Sequence, residues 1–505
     1  MTQVNAKRIA KNTIYMYIRQ IVVMVVTLYT ARVILDKLGA TDYGIFNAVA
    51  GVVGLLSFIN NTLAKGTSRF LTFELGRNDV KKLAETYSTS FFSHIVLAIG
   101  VVLVLEIVGP WFISNKLIIP EIRMNAALWC FQISLIQSFI GIVMVPFTAT
   151  IIAHEDMGIY AYVGLIEAAS KLLIAFLISR TSYDKLIIYS LLLLIVQFLI
   201  IVFYFIYCRK QYSETRRLLV FNKKILYEML GFSGWNLLTH FAVTLQVQGR
   251  NILIGMFFEP VIVAAQAIAN QVTTALMNFV YNFTTAINPQ IIKSFAEKDY
   301  ESSKKLTLES TVFVFDLVLL ICLPFCFTID TILGLWLVNV PIYAAKFCKF
   351  ILISQIVGVF NITFYTPMIA SGKLKTNSIL AIIMEVVKFV ILYALFKYGF
   401  GVMWLMYISL ASTSIWAFFI KPYILRSEIG YEWKRLASCY VSCGKVFAPS
   451  LIMSIVLNRL FNDGLINQII LFVSVAFVVI VWSIVFMDAS FKRKMISFLF
   501  KQQSL

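Results

Sequence analysis

Apolar runs long enough to cross a bilayer recur from one end of this 505-residue chain to the other, and they leave it few folds. A helix needs about 20 residues to span a hydrocarbon core of about 30 Å. In hydrocarbon every backbone N–H and C=O must be satisfied inside the protein, so runs of that length become helices. The pattern predicts fourteen spans, near residues 13–35, 43–64, 87–109, 124–148, 157–179, 186–208, 227–250, 260–286, 308–330, 342–367, 376–397, 402–421, 440–458 and 466–487. With 60% hydrophobic and 13% charged residues, the chain falls outside the composition of soluble domains. The interruptions are too short to hold one. Lys7, Arg8 and Lys11 precede a first apolar run of more than twenty residues; without a small-residue cleavage site, that run is expected to stay as a helix.

Much of the +18 net charge sits in alternate loops. The loops on the side of the N-terminus carry 26 Lys and Arg, among them Arg77, Lys81, Lys82, Arg216, Arg217 and Lys293. The opposite loops carry seven: Lys37, Lys116, Arg123, Arg180, Lys185, Lys397 and Arg459. Basic loops stay in the cytoplasm, so both termini are expected there, as an even number of spans requires. These charges are thinly spread and interleaved with acids, which suits topology and anionic lipid rather than nucleic acid. Membrane lipids are expected partners and nucleic acid is not.

Arg19, Lys65, Arg69 and Arg250 fall inside or at the edge of apolar runs. A cation at a helix centre costs roughly 2.5–3.5 kcal/mol on insertion scales, so such residues usually face a watery interior. No acid lies one turn from Arg19 or Arg69 in the same helix. Snorkelling of Lys65 and Arg69 to the interface is the competing reading. In the seventh span Asn236, His240, Thr244 and Gln248 recur every four residues and make one stripe. Gln266 and Asn270 continue the pattern in the eighth and Asn61 in the second. Such amides also serve as interhelical glue, worth up to about 2 kcal/mol each. The spacing leaves both roles open.

The loop RKQYSETRRLLVFNKK at 209–224 splits the first twelve spans into two sets of six. From Arg32 the chain runs RVILDKLGATDYGIFNAVA to the turn GRND at 76–79; from Arg250 it runs RNILIGMFFEPVIVAAQAIA to AEKD at 296–299. Two homologous bundles of six spans share one orientation and are related by an axis along the membrane normal. The expected fold is therefore an all-α polytopic membrane protein of about fourteen helices. Its parts are an N-terminal lobe at 1–208, a basic linker at 209–224, a C-terminal lobe at 225–421 and two extra helices with a tail at 422–505.

The segments GFSGWNLLTHFAV at 231–243, AAQAIANQV at 264–272, INPQIIKSFAEKD at 287–299 and LGATDYGIFNAVAGVVGLLSFI at 38–59 resemble the polysaccharide flippases of the multidrug/oligosaccharidyl-lipid/polysaccharide exporter superfamily, above all the Wzx-type O-antigen and capsule-repeat flippases. The resemblance covers nearly the whole chain in hydropathy and order. It implies two lobes rocking around a central site, a bacterial inner membrane, and a substrate of undecaprenyl pyrophosphate bearing a short oligosaccharide. In the related lipid II flippases, arginines on the first, second and eighth helices line the cavity. Arg19 matches the first; Arg69 matches the second toward its cytoplasmic end; Arg250 precedes the eighth.

Glu167 with Lys171 and Glu385 with Lys388 have helical neighbour spacing and are expected to neutralise one another. Glu309 and Asp316 lie on one face of the ninth span without an obvious partner, which makes them candidates for proton or sodium coupling. His94 and His240 are expected to be hydrogen-bonded helix contacts. The seven cysteines have no paired spacing completed by His or carboxylate, so no metal is expected. No nucleophile with a paired base and no phosphate-binding glycine loop is present, so neither a cofactor nor enzyme activity is expected. The expected function is flipping of the lipid-linked oligosaccharide from the cytoplasmic to the periplasmic leaflet for O-antigen and lipopolysaccharide assembly, by a monomer. A multidrug or cation antiporter of the same superfamily is the alternative, and a membrane O-antigen polymerase or ligase a further one. The first should present acids to its drug; the second needs an outward loop longer than that around 110–123.

Overall fold

The computed structural model describes residues 3–77, 79–216, 221–461 and 464–486, and all regular structure among them is helical. The order is α1 (Gln3–Gly54), α2 (Ser57–Arg77), α3 (Val80–Lys116), α4 (Glu121–Ala153), α5 (Met157–Ile178), α6 (Lys185–Gln211), α7 (Lys223–Phe257) and α8 (Pro260–Ala296). There follow α9 (Tyr300–Trp336), α10 (Ala344–Thr363), α11 (Thr366–Ser371), α12 (Lys375–Lys397), α13 (Trp404–Ile415), α14 (Lys421–Ile424), α15 (Trp433–Leu460) and α16 (Leu465–Phe486). Eleven helical segments among the described residues are long and apolar enough to cross a membrane. The chain is a multi-pass, all-helical protein, and each of the fourteen runs found in the sequence is helical over most of its length.

Two details differ from the sequence reading. The first two spans join into one 52-residue element whose single interior break is Gly39, at φ 81° and ψ 163°. Only glycine adopts that region without strain. The second span also breaks further along, at Leu55 and Leu56, where Leu55 N–H is shared between the Gly51 and Val52 carbonyls. Asn61, Lys65 and Arg69 therefore ride on α2, a separate helix from the arm at 40–54.

The chain divides into two compact units. One holds residues 1–268, 337–344 and 377–404; the other holds 269–336, 345–376 and 405–505. In the first, α4 packs on α2, α3 and α6, α1 packs on α5, and α7 packs on α1 and α2. Lipid is as apolar as leucine, so polar contacts and close packing hold such helices together. Thr67 and Ser90 hydroxyls bond at 2.9 Å between α2 and α3. Gln197 Nε2 donates to the Gln137 carbonyl at 2.8 Å, and Gln137 Nε2 to that of Ser190 at 3.0 Å, lacing α4 to α6.

At one end of this unit Arg123 donates to both oxygens of Asp42 (2.8 and 2.7 Å) and of Asp184 (2.6 and 3.1 Å). At the other, His154 bonds Glu214 at 2.6 Å, while Tyr207 and Tyr212 hydroxyls donate to Asp156. The sequence reading assigns the first group to loops on one face and the second to loops on the opposite face. Their clustering is what alternating spans produce.

In the second unit α9 packs against α15 and α16, and α15 against α16. Thr311 donates to Thr363 at 2.9 Å, tying α9 to α10. The two repeated turns share one local geometry. Asp79 accepts the Lys82 N–H at 3.0 Å while its carbonyl accepts from Leu83 at 2.9 Å; Asp299 accepts the Ser302 N–H at 3.0 Å while its carbonyl accepts from Ser303 at 3.1 Å. Each acid caps the helix after it, which satisfies donors the first turn would leave bare.

Candidate functional site

Arg19 lies twenty residues before Gly39, about 30 Å along a helix. Its guanidinium carbon sits 4.8 Å from the centroid of the Tyr160 ring on α5. One turn further, a Cβ on residue 164 would come within 2.3 Å of Arg19 Nε, so Gly164 is the notch that admits the group. Nε is buried and meets no acceptor, and among the described residues no carboxylate pairs with Arg19. Glu167, the acid nearest in sequence to that notch, is committed to Lys171 at 2.7 Å. A ring face recovers at most about 2 kcal/mol for a desolvated cation, which leaves the forked donors of the guanidinium unused.

Arg250 lies on α7, seven residues before its end. It comes within electrostatic reach of Glu385 and Lys388 on α12. Lys388 and Glu385 form an ion pair whose side chains are 6% and 11% exposed. Arg250 Nε is buried without an acceptor among the described residues. The sequence reading finds the Glu385–Lys388 pair and misses Arg250 as its neighbour, since 135 residues separate Arg250 from Glu385.

The remaining predicted residues are dispersed. Arg69 is exposed on α2, two turns from its end, with its guanidinium carbon 5.9 Å from the ring centroid of Phe70. Gln248 packs into the seam between α7 and α1: Cβ atoms on residues 54 and 51 would lie 3.0 Å from its Nε2 and 3.7 Å from its Oε1. Gln266 is fully buried in α8. His240 and Asn270 are half-buried. The side chains of Asn61, Lys65 and Asn236 lie outside the described ones. His94, buried, bonds the Ser90 carbonyl at 2.7 Å.

Glu309 does have a partner, contrary to the sequence expectation. Lys305, four residues earlier, stands 3.8 Å away, a spacing that stacks two side chains on one helix face. Asp316 accepts a hydrogen bond from Ser483 on α16, while its Oδ1 is buried without a partner. Both acids line a cavity of about 560 Å³ between α9, α15 and the end of α16. Lys305 and Arg435 stand at that cavity as well, so its charge is mixed. All seven cysteines are free, and among the described residues no cluster of His, Cys, Asp and Glu could hold a metal ion.

No protein-family model and no curated protein matches the sequence. Solved structures do match. A multidrug resistance MATE family transporter of the MOP superfamily, in an inward-facing conformation, superposes with a TM-score of 0.67 at 13% identity, over 81% of this chain and 99% of that one. The lipid II flippase MurJ, in an inward closed conformation, gives 0.70 at 13% identity over 96% and 100%. A MOP superfamily transporter from Pyrococcus furiosus Vc1, described as having a binding pocket of reversed polarity that suggests a different function, gives 0.59 at 14% over 85% and 95%. At such identities the likeness establishes a fold, that of the MOP superfamily transporters, and function has to be argued from the site.

Proposed function

We propose that the chain is a flippase for an undecaprenyl-pyrophosphate-linked oligosaccharide, in a bacterial inner membrane with both termini cytoplasmic. The observation that carries this reading is Arg19, a desolvated guanidinium with no carboxylate partner among the described residues. Unmatched cations within a membrane fold are costly and mark substrate paths. A guanidinium offers a planar fork of donors that fits the oxygens of a phosphate and keeps its charge at any working pH. The polyprenyl tail can stay in lipid throughout, so the protein has only the diphosphate and the sugar hydroxyls to shield. His240, Gln248, Gln266 and Asn270 supply amide and imidazole groups for the sugar.

Two fold relatives support the direction of the argument. One is a lipid II flippase, so the fold accommodates that activity. Another is described by a pocket of reversed polarity, so pocket charge is what separates functions on this fold. A basic site favours an anionic headgroup over the cationic drugs a multidrug antiporter would take.

The test is purified protein in proteoliposomes holding fluorescent undecaprenyl pyrophosphate with a short oligosaccharide. Access of the label to a membrane-impermeant quencher reports its leaflet. Flipping well above that of empty liposomes is expected. Translocation of a lipophilic cation with none of the glycolipid would overturn the reading in favour of the antiporter.

A further inference from the structure

The cluster of Arg250, Lys388 and Glu385 carries two positive charges and one negative, and it lies deep. Glu385 is about 15 Å from the start of α12 and about 18 Å from its end. Glu385, Lys388, Leu392 and Phe396 are all buried and share one face of α12. Phe389, beside that face, reaches Gly249 of α7, and further along Tyr393 and Phe396 pack their rings on Phe257 at 5.3 and 5.8 Å. The seam thus reads aromatic toward the α7 C-terminus and ionic two turns below it.

Donors outnumber acceptors there. An arginine brings five N–H donors and a lysine three, against one carboxylate with about four lone-pair sites. Glu385 spends itself on Lys388, and Arg250 Nε is left bare. A surplus positive charge at that depth is expensive. It is tolerable in a protein that fills the site with an anion for part of its working cycle.

We infer that Arg250 and Lys388 form an anion site for a phosphate or diphosphate group, and that Glu385 is a built-in counter-ion that the ligand displaces. The inference takes its ligand, a polyprenyl diphosphate, from the flippase reading, while the site itself rests on the charge count. Displacement gives the site two states. With Glu385 on Lys388 it is closed and less charged; with the ligand bound, Glu385 swings away and both cations turn to the phosphate oxygens. An internal anion lowers affinity by competing with the ligand, which lets product leave. A transporter needs such weakness, because a site that binds without rival does not release.

Binding to the purified full chain in nanodiscs tests this, by calorimetry with inorganic pyrophosphate, farnesyl pyrophosphate and farnesol as probes. The wild type should bind both diphosphates and not farnesol. Glu385→Gln should tighten diphosphate binding about tenfold, a shift typical of removing a competing charge, while Arg250→Gln and Lys388→Gln should each weaken it by about tenfold or more. Should Glu385→Gln fail to fold with Lys388 left bare, the double variant Glu385→Gln/Lys388→Gln removes the bare charge and should still bind more weakly than wild type. A wild type that binds neither diphosphate, or variants that bind with the wild-type constant, would overturn the inference. Binding of inorganic pyrophosphate with no gain from the farnesyl chain, and no flipping in proteoliposomes, would leave the anion site standing and remove the lipid reading. Flipping with cluster variants that bind like wild type would remove the site and leave the reading.

Discussion

Arg123 shows what single residues do at the end of a lobe. Its guanidinium serves two carboxylates, Asp42 and Asp184, from two other helices, with all three side chains less than a third exposed. Removing it would leave two acids facing each other across a half-buried gap. Arg123→Ala should therefore cost about 2 kcal/mol, read as a lowered melting temperature in detergent, while Lys397→Ala, with no ion pair among the described residues, should not. The two acids respond to pH in opposite directions. Burial holds Asp42 above its ordinary value despite Arg123. Burial pulls Asp184 the same way, but Arg123 and the N–H groups of Ile187 and Leu186 outweigh it and hold that carboxyl below. A lowered group adds stability above its unfolded pKa and loses it as the pH falls through the folded one; a raised group does the reverse. Asp184→Asn should flatten the loss of melting temperature between about pH 6 and pH 3, and Asp42→Asn should steepen it. Equal slopes in both variants would contradict the assignment. None of this clamp is legible in sequence, because its partners stand 81 and 61 residues apart, whereas Glu385–Lys388 and Glu167–Lys171 are visible at three and four residues.

Elements were easier to read than their breaks. An apolar window of about 20 residues announces a membrane helix without any tertiary context, which is why every span in the sequence reading meets a helix. The break at Leu55 and Leu56 has no glycine or proline to mark it; it follows from how α1 and α2 pack on α7. Gly39 is different, since its backbone angles are open to glycine alone. Gly39→Ala should destabilise by about 1–3 kcal/mol, although no atom lies within 4 Å of where the new Cβ would sit. Gly100, helical in α3 and equally open around its Cβ position, makes the control: Gly100→Ala should be neutral or stabilising by about 0.5–1 kcal/mol. If both substitutions behave alike, crowding rather than backbone strain governs these positions. The caps at Asp79 and Asp299 belong to the same scale. The repeat at the level of letters is faint, and the repeated hydrogen bonds give it physical content.

For the whole molecule, the number of spans and their alternation follow from hydropathy and charge, and the structure has the helices to match. The site was harder to read. Arginines stood out as costly residues, but what surrounds each is decided by helices far away in sequence. Arg19 meets Tyr160 and Gly164 of α5, Arg250 meets α12, and Arg69 is exposed on α2. Sequence spacing orders residues along one helix and says nothing of which neighbour they face. The central claim is that a desolvated, unmatched guanidinium carries the diphosphate, and the flipping rate of Arg19 variants tests it most directly. In proteoliposomes with equal amounts of folded protein, Arg19→Ala should flip undecaprenyl-pyrophosphate oligosaccharide more than about tenfold slower than wild type, with Arg19→Lys in between. An Arg19→Ala protein that flips at the wild-type rate would contradict the account.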